Sequence, residues 1–143
     1  MSDYEQILSA IHAHGRFSGT PCLDRIRALL AALGNPQKKL KFVHIAGTNG
    51  KGSIAVLTAA ALEQAGYRTG LFVSPFVVDF CERIRINGTY IPREDLCRIA
   101  SRVLEIEQYL QLPEGECIGE FEFTTACAML YFLEQGCDIV VLE

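Results

Sequence analysis

KFVHIAGTNGKGS, Lys41 to Ser53, sets three patterns end to end: an apolar, β-branched run, a glycine-bearing loop with one lysine, and the opening of a helical repeat. Lys41 to Ala46 reads as a buried strand. Gly47 to Gly50 break it. A chain that wraps backbone N–H groups around phosphate needs glycine, because a side chain blocks the approach and the turn needs positive φ. Gly47, Gly50 and Gly52 meet that need, with Thr48 and Asn49 between them. The helix that follows presents unsatisfied N–H groups and the positive end of its dipole, and Lys51 adds a full charge suited to β- and γ-phosphates. The loop departs twice from the general pattern G-x-x-x-x-G-K-[ST]. Its first glycine lies three residues before Gly50 rather than five, and Gly52 follows Lys51 where Ser or Thr is expected, with Ser53 one place later. The alternative is a glycine-rich turn with no ligand; the lysine and the flanking strand and helix argue against it.

Before this stretch, an amphipathic helix is predicted over about Tyr4 to His14, then a turn from Gly15 to Cys22. A second helix over about Leu23 to Leu33 is ended by Gly34, Asn35 and Pro36. After it, Ile54, Leu57, Thr58, Ala61 and Leu62 recur at helical spacing from about Gly52 to Ala65, with Gly66 as a C-terminal cap. Thr69 to Val73 reads as a second strand. RIRINGTYI, Arg83 to Ile91, alternates around Asn87-Gly88, the dipeptide that best fits a two-residue hairpin turn. Pro92 opens a helix over about Arg93 to Leu110, with Glu94 and Asp95 in its first turn. An acid-rich loop to Glu120 leads to a helix over roughly Phe123 to Glu134, closed by Gly136. Asp138 to Leu142 is a continuous apolar strand of the kind covered on both faces. Strands separated by helices imply right-handed crossovers. The fold class expected is therefore α/β, a mostly parallel sheet flanked by helices and containing a P-loop, with ligands at the carboxyl ends of the strands.

The 143 residues, half of them hydrophobic, suit one domain with its own core. A net charge of -4 gives no electrostatic reason for binding nucleic acid or an anionic membrane, so small molecules are the expected partners. No run approaches the roughly 18 apolar residues of a membrane span. The opening MSDYEQ carries acid where a secretion signal carries Lys or Arg, and a cytoplasmic protein is expected. The six cysteines, at 22, 81, 97, 117, 127 and 137, form no C-x-x-C pair and read as reduced, mostly buried thiols. His12 and His14, two apart on a predicted helix, point in different directions and read as surface or packing residues, not as a metal pair.

HIAGTNGKGS, followed by GYRTGLFVSPF, ERIRING, FEFTTACAMLYF and DIVVLE, resembles the N-terminal ATP-binding domain of the folylpolyglutamate synthase and dihydrofolate synthase family, within the Mur ligases. The resemblance runs through nearly the whole chain and implies one C-terminally truncated domain, 1–143. Residues 1–40 form its helical N-terminal segment and 41–143 an incomplete P-loop α/β core like the central Mur-ligase domain. Gly47, Thr48, Asn49, Gly50, Lys51, Gly52 and Ser53 correspond to the ATP-binding loop, with Lys51 as the catalytic cation. Ser74, in Ser74-Pro75-Phe76, and Glu143 correspond to magnesium ligands. A hydroxyl and a carboxylate at the ends of parallel strands offer Mg²⁺ the hard oxygens it prefers. The pterin substrate is expected near Gly119, Glu120, Phe121 and Glu122 and near the turn from Thr20 to Cys22, where aromatic rings stack and carboxylates accept N–H protons. The plainer alternative makes Phe121 and Phe123 core residues and Glu122 a helix-start acid. Arg83 and Arg85 suit an anionic substrate, solvated loop charges being the commoner explanation.

The activity implied is ligation of L-glutamate to folate, to dihydropteroate or to both, using ATP and Mg²⁺ through an acyl phosphate, by enzymes that are usually monomeric. A chain ending at Glu143 lacks the family's glutamate-binding domain, and the fragment alone is expected to be inactive. Two alternatives stand beside this: a Mur-type ligase acting on a cell-wall precursor, against which SPF and ERIRING count, and a nucleotide-binding module without ligase chemistry.

Overall fold

The computed structural model describes residues 2–16 and 21–143. In chain order the elements are α1 (Asp3–His12), α2 (Asp24–Ala32), β1 (Phe42–His44), α3 (Lys51–Gln64), β2 (Thr69–Phe72), β3 (Ile84–Ile86), β4 (Thr89–Tyr90), α4 (Arg93–Glu107), α5 (Glu120–Glu134) and β5 (Ile139–Leu142). Short 3-10 turns occupy Pro36–Lys39 and Phe80–Arg83. Two compact units divide the chain: Met1–Pro36 with Arg93–Leu130, and Gln37–Pro92 with Tyr131–Glu143.

The first unit is helical, with α1 and α2 both packed on α4. Leu96, Ile99, Ala100 and Val103 line the buried face of α4 at the i, i+3, i+4, i+7 spacing that makes one stripe of a helix. A capping box starts α1. Ser2 Oγ accepts the Glu5 N–H at 3.2 Å while the Glu5 carboxylate accepts the Ser2 N–H at 2.7 Å, satisfying two of the donors a helix start leaves open. The last helix begins at Glu120, three residues before the expected Phe123, because the Phe123 N–H already bonds the Gly119 carbonyl at 2.9 Å.

The second unit holds a five-stranded sheet of order β1-β5-β2-β3-β4. β1, β5 and β2 run parallel, and the β3–β4 hairpin adds two antiparallel strands beside β2. The hairpin turns on Asn87 (φ 47) and Gly88 (φ 78), the two left-handed residues of a type I′ turn. Asn87 is locked further. Its Oδ1 accepts the Thr69 N–H at 2.9 Å and its own N–H bonds the Thr69 carbonyl at 3.0 Å.

Helix α3 covers one face of the sheet through Ala55 and Ala59, which pack with Leu71, Val73 and Val141 and with partly buried Leu62, Val43 and Ile45. Of the residues that recur at helical spacing, Leu62 packs on this face while Ile54 and Leu57 do not. Ile54 and Leu57 stand 52% and 70% exposed. The helix is apolar nearly all round, so its periodicity does not select a side, and small alanines win because they let the backbone approach the sheet closely. Gly70 alternates with Leu71 and so faces the other way. There the ring of Phe132 lies so near that a Cβ at Gly70 would stand 2.8 Å from it. The six thiols are free, but only Cys81 and Cys127 are buried; Cys22 and Cys117 are exposed, against the expectation of mostly buried cysteines.

Candidate functional site

Three neighbouring parallel strands, β1, β5 and β2, each run out at their carboxyl ends into residues singled out from the sequence. β1 leads into Gly47–Gly50 and α3, β2 into Ser74, and β5 into Glu143. Strands in one sheet lie about 4.8 Å apart, so three segments far apart in the chain are gathered at one sheet end.

The loop is built as the glycines require. Gly47 has φ 148 and Gly50 φ 74, and Gly50 is the residue from which α3 starts. The first intrahelical bond runs from the Ile54 N–H to the Gly50 carbonyl at 3.0 Å. The N–H groups of Lys51, Gly52 and Ser53 precede that bond, and no side chain caps the helix there. Such a start is an anion-binding arrangement: open N–H donors and the positive dipole end, with the Lys51 ammonium as the first residue. Residues Gly47 to Gly50 are exposed and Lys51 is half-buried.

At the β2 end, the Ser74 N–H donates to Glu143 Oε2 at 3.2 Å, and the Glu143 N–H donates to the Phe72 carbonyl at 3.0 Å. The Ser74 backbone and the Glu143 carboxylate are therefore held together at the ends of β2 and β5. The Ser74–Pro75 peptide is cis. Beyond it, the Glu82 carboxylate accepts three successive backbone N–H groups, from Val77 at 3.0 Å and from Val78 and Asp79 at 2.8 Å each. These bonds, the Val77 one foremost, hold the Glu82 carboxyl below its ordinary value. Phe76 packs edge-on against Phe80 with centroids 5.7 Å apart. The segment carrying Ser74 is thus tied down on both sides. Asp79-x-x-Glu82 has the spacing of a capping box and was the signal available for this clamp, which sequence reasoning missed.

Among the described residues no group of three or more His, Cys, Asp and Glu side chains is placed to hold a metal. One hydroxyl and one carboxylate suit Mg²⁺ nonetheless, because that ion dehydrates reluctantly and takes few protein oxygens beside water and phosphate.

In the first unit, the expected substrate segment and the turn before α2 meet at an open cavity of about 550 Å³, lined by Pro21, Cys22, Leu23, Ile26, Phe121 and Thr125 with Arg25 and Glu122. Thr20 lies outside the described residues. Phe121 is 54% exposed, whereas Phe123 is fully buried. The two phenylalanines therefore separate, one facing the cavity and one serving the core. Glu122 Oε1 accepts from Arg25 Nε at 3.2 Å and from the Gly119 N–H at 3.0 Å, so that carboxylate does start the helix and also holds a buried arginine. Glu120 is turned to His12, with Oε1 3.2 Å from Nδ1. His14 is a packing residue, stacked on Phe123 at 4.4 Å, its Nε2 2.8 Å from Glu107.

No protein-family model matches the chain. Individual proteins do. A dihydrofolate synthase/folylpolyglutamate synthase from Bacillus subtilis is 40% identical over 141 residues, which are 98% of this chain and 33% of that enzyme. The folylpolyglutamate synthase of Thermotoga maritima superposes with a TM-score of 0.90 at 41% identity, over 98% of this chain and 32% of the other. An FPGS-AMPPCP-folate complex superposes with a TM-score of 0.91 at 39% identity, over 98% and 34%. The chain spans about a third of the length of the relatives it matches. Over that third, the chain is similar in sequence and in fold to the folylpolyglutamate and dihydrofolate synthases.

Proposed function

We propose that this chain is the nucleotide-binding part of an ATP- and Mg²⁺-dependent ligase that adds L-glutamate to folate or dihydropteroate. The observation that carries the reading is the gathering of the Gly47–Ser53 loop, Ser74 and Glu143 at the carboxyl ends of three adjacent parallel strands. Helix-start amides and Lys51 draw the triphosphate. Relatives in the same fold include one held with AMPPCP and folate. A cytoplasmic location accords with such chemistry.

In this reading a carboxylate oxygen of the acceptor attacks the γ-phosphorus and ADP leaves; the amine of glutamate then displaces phosphate from the acyl phosphate. Phosphoryl transfer rests on positioning and on neutralising charge over the equatorial oxygens. Lys51 and the open N–H groups of Lys51, Gly52 and Ser53 fix the phosphates with donors already in place, so little reorganisation accompanies the charge shift. Ser74 and Glu143 are the residues that would hold Mg²⁺, and the ion would supply further charge neutralisation at the phosphates. The Phe121 cavity would take the flat acceptor ring, with Arg25 and Glu122 at its polar side. Glutamate capture is assigned to no residue of this chain.

The test is calorimetric titration of Mg-ATP into the chain and into Lys51→Ala. The wild type should bind, and loss of the lysine should weaken binding by tenfold or more, about 1.4 kcal/mol. Equal affinity in the two proteins would remove the loop from the site.

A further inference from the structure

The two arginines of the ERIRING segment have different lives. Arg85 serves the hairpin: its Nε donates to the Glu82 carbonyl at 2.7 Å and its guanidinium lies 5.0 Å over the Tyr90 ring. Arg83 is 6% exposed, which excludes a solvated loop charge. Its guanidinium lies 5.2 Å from the centroid of Phe80 and 5.8 Å from that of Phe72, and Nη2 reaches 3.5 Å from Ser74 Oγ. The Arg83 carbonyl also accepts the Val73 N–H at 3.0 Å, so backbone and side chain both follow the end of β2 toward Ser74.

We propose that Arg83 is a positioning residue that orients the Ser74 hydroxyl toward a nucleotide-bound Mg²⁺; the inference rests on the reading of Ser74 and Glu143 as the metal's protein oxygens. A hydroxyl has two acceptor lone pairs and one proton, whereas a guanidinium only donates. An Arg83 N–H directed at Oγ occupies one lone pair and turns the hydroxyl proton aside, leaving the second lone pair as the acceptor the metal needs. The guanidinium keeps its proton at every accessible pH and lies over the Phe80 and Phe72 rings, so this orientation does not titrate away. Residues that orient a metal ligand from behind in this way typically contribute 10–100-fold in metal affinity.

The experiment is a double-mutant cycle on binding, with AMPPCP as probe. Affinity is measured by calorimetry in Mg²⁺ and in EDTA for the wild type, Ser74→Ala, Arg83→Met and the double variant. The quantity read is the ratio of the two affinities. It should exceed one in the wild type and fall about tenfold in Arg83→Met. The double variant should lose no more than Ser74→Ala alone, because Arg83 acts through that hydroxyl. Independent, additive losses would overturn the proposal. So would an Arg83→Met protein whose affinity drops equally in Mg²⁺ and EDTA, the mark of a packing residue only. Should circular dichroism show Arg83→Met unfolded, Arg83→Lys carries the same cycle, with the same non-additivity expected and additivity again fatal. A wild-type ratio of one overturns the metal reading itself, and this inference with it, before any Arg83 variant is considered.

Discussion

Ser74 and Glu143, 69 residues apart in the chain, are joined by a hydrogen bond of 3.2 Å from the Ser74 backbone N–H to the Glu143 carboxylate. Glu143→Gln retains an oxygen to accept that bond while removing the charge. The substitution should leave the fold intact and weaken the Mg²⁺-dependent part of nucleotide binding by about tenfold, 1.4 kcal/mol. Titration of AMPPCP with and without Mg²⁺ reads this directly, and an unchanged metal dependence would exclude Glu143 as a ligand.

Gly70 offers a test of the sheet rather than the site. A Cβ there meets the fully buried Phe132 ring at 2.8 Å, and a ring packed on all sides cannot move aside cheaply. Gly70→Ala should destabilise by about 1–3 kcal/mol in urea unfolding, with Phe132→Leu in the same chain recovering part of the loss. A change under about 0.5 kcal/mol, the range of an ordinary surface substitution, would show that the ring has room.

Glu82 predicts a local effect with a pH signature. Its carboxyl is held low by the N–H groups of Val77, Asp79 and Val78, so the stabilisation is present above the ordinary value of 4.5 and is lost as pH falls through the lowered folded value. Glu82→Gln offers one acceptor oxygen where the carboxylate has two. Hydrogen exchange at the amides of Val77, Val78 and Asp79 should therefore quicken in the variant under conditions where the rest of the sheet stays protected. Uniform exchange across the unit would deny that Glu82 is a local clamp.

His14 runs the opposite way. Its hydrogen bond with Glu107 raises the imidazole above its ordinary 6.5, burial opposing the shift. The linked stability is fully present below about pH 6.5 and disappears as pH rises through the higher folded value. Thermal melts from about pH 6 to pH 8.5 should fall in the wild type and run flatter in Glu107→Gln. Parallel curves for the two proteins would refute the linkage.

Much of the frame was legible because local chemistry and global fold agree there. Asn87-Gly88 announces its own turn, Gly47 and Gly50 stand where left-handed backbone is needed, and IVVL reads as a strand covered on both faces. The buried side of α3 was not legible, since a helix with apolar residues all round carries no phase. Its alanines were chosen by proximity to Leu71 and Val141, which only the assembled sheet supplies. The partnership of Ser74 with Glu143 came from likeness to a family, not from the residues: nothing local to Ser-Pro-Phe or to a terminal acid states that β2 and β5 are neighbours. Arg83 was obscured for a related reason. Its charge suggests water, and its burial depends on Phe72 and Phe80 closing over it.

The placement of the loop, Ser74 and Glu143 on separate strands has a thermodynamic corollary. A disordered chain scatters these groups, so under the proposed function a nucleotide engaging all of them would recognise the native form alone, and at a hundred times Kd it would add about 2.7 kcal/mol to the cost of unfolding. Heating the chain at graded nucleotide concentrations then becomes a way to weigh the site without observing catalysis.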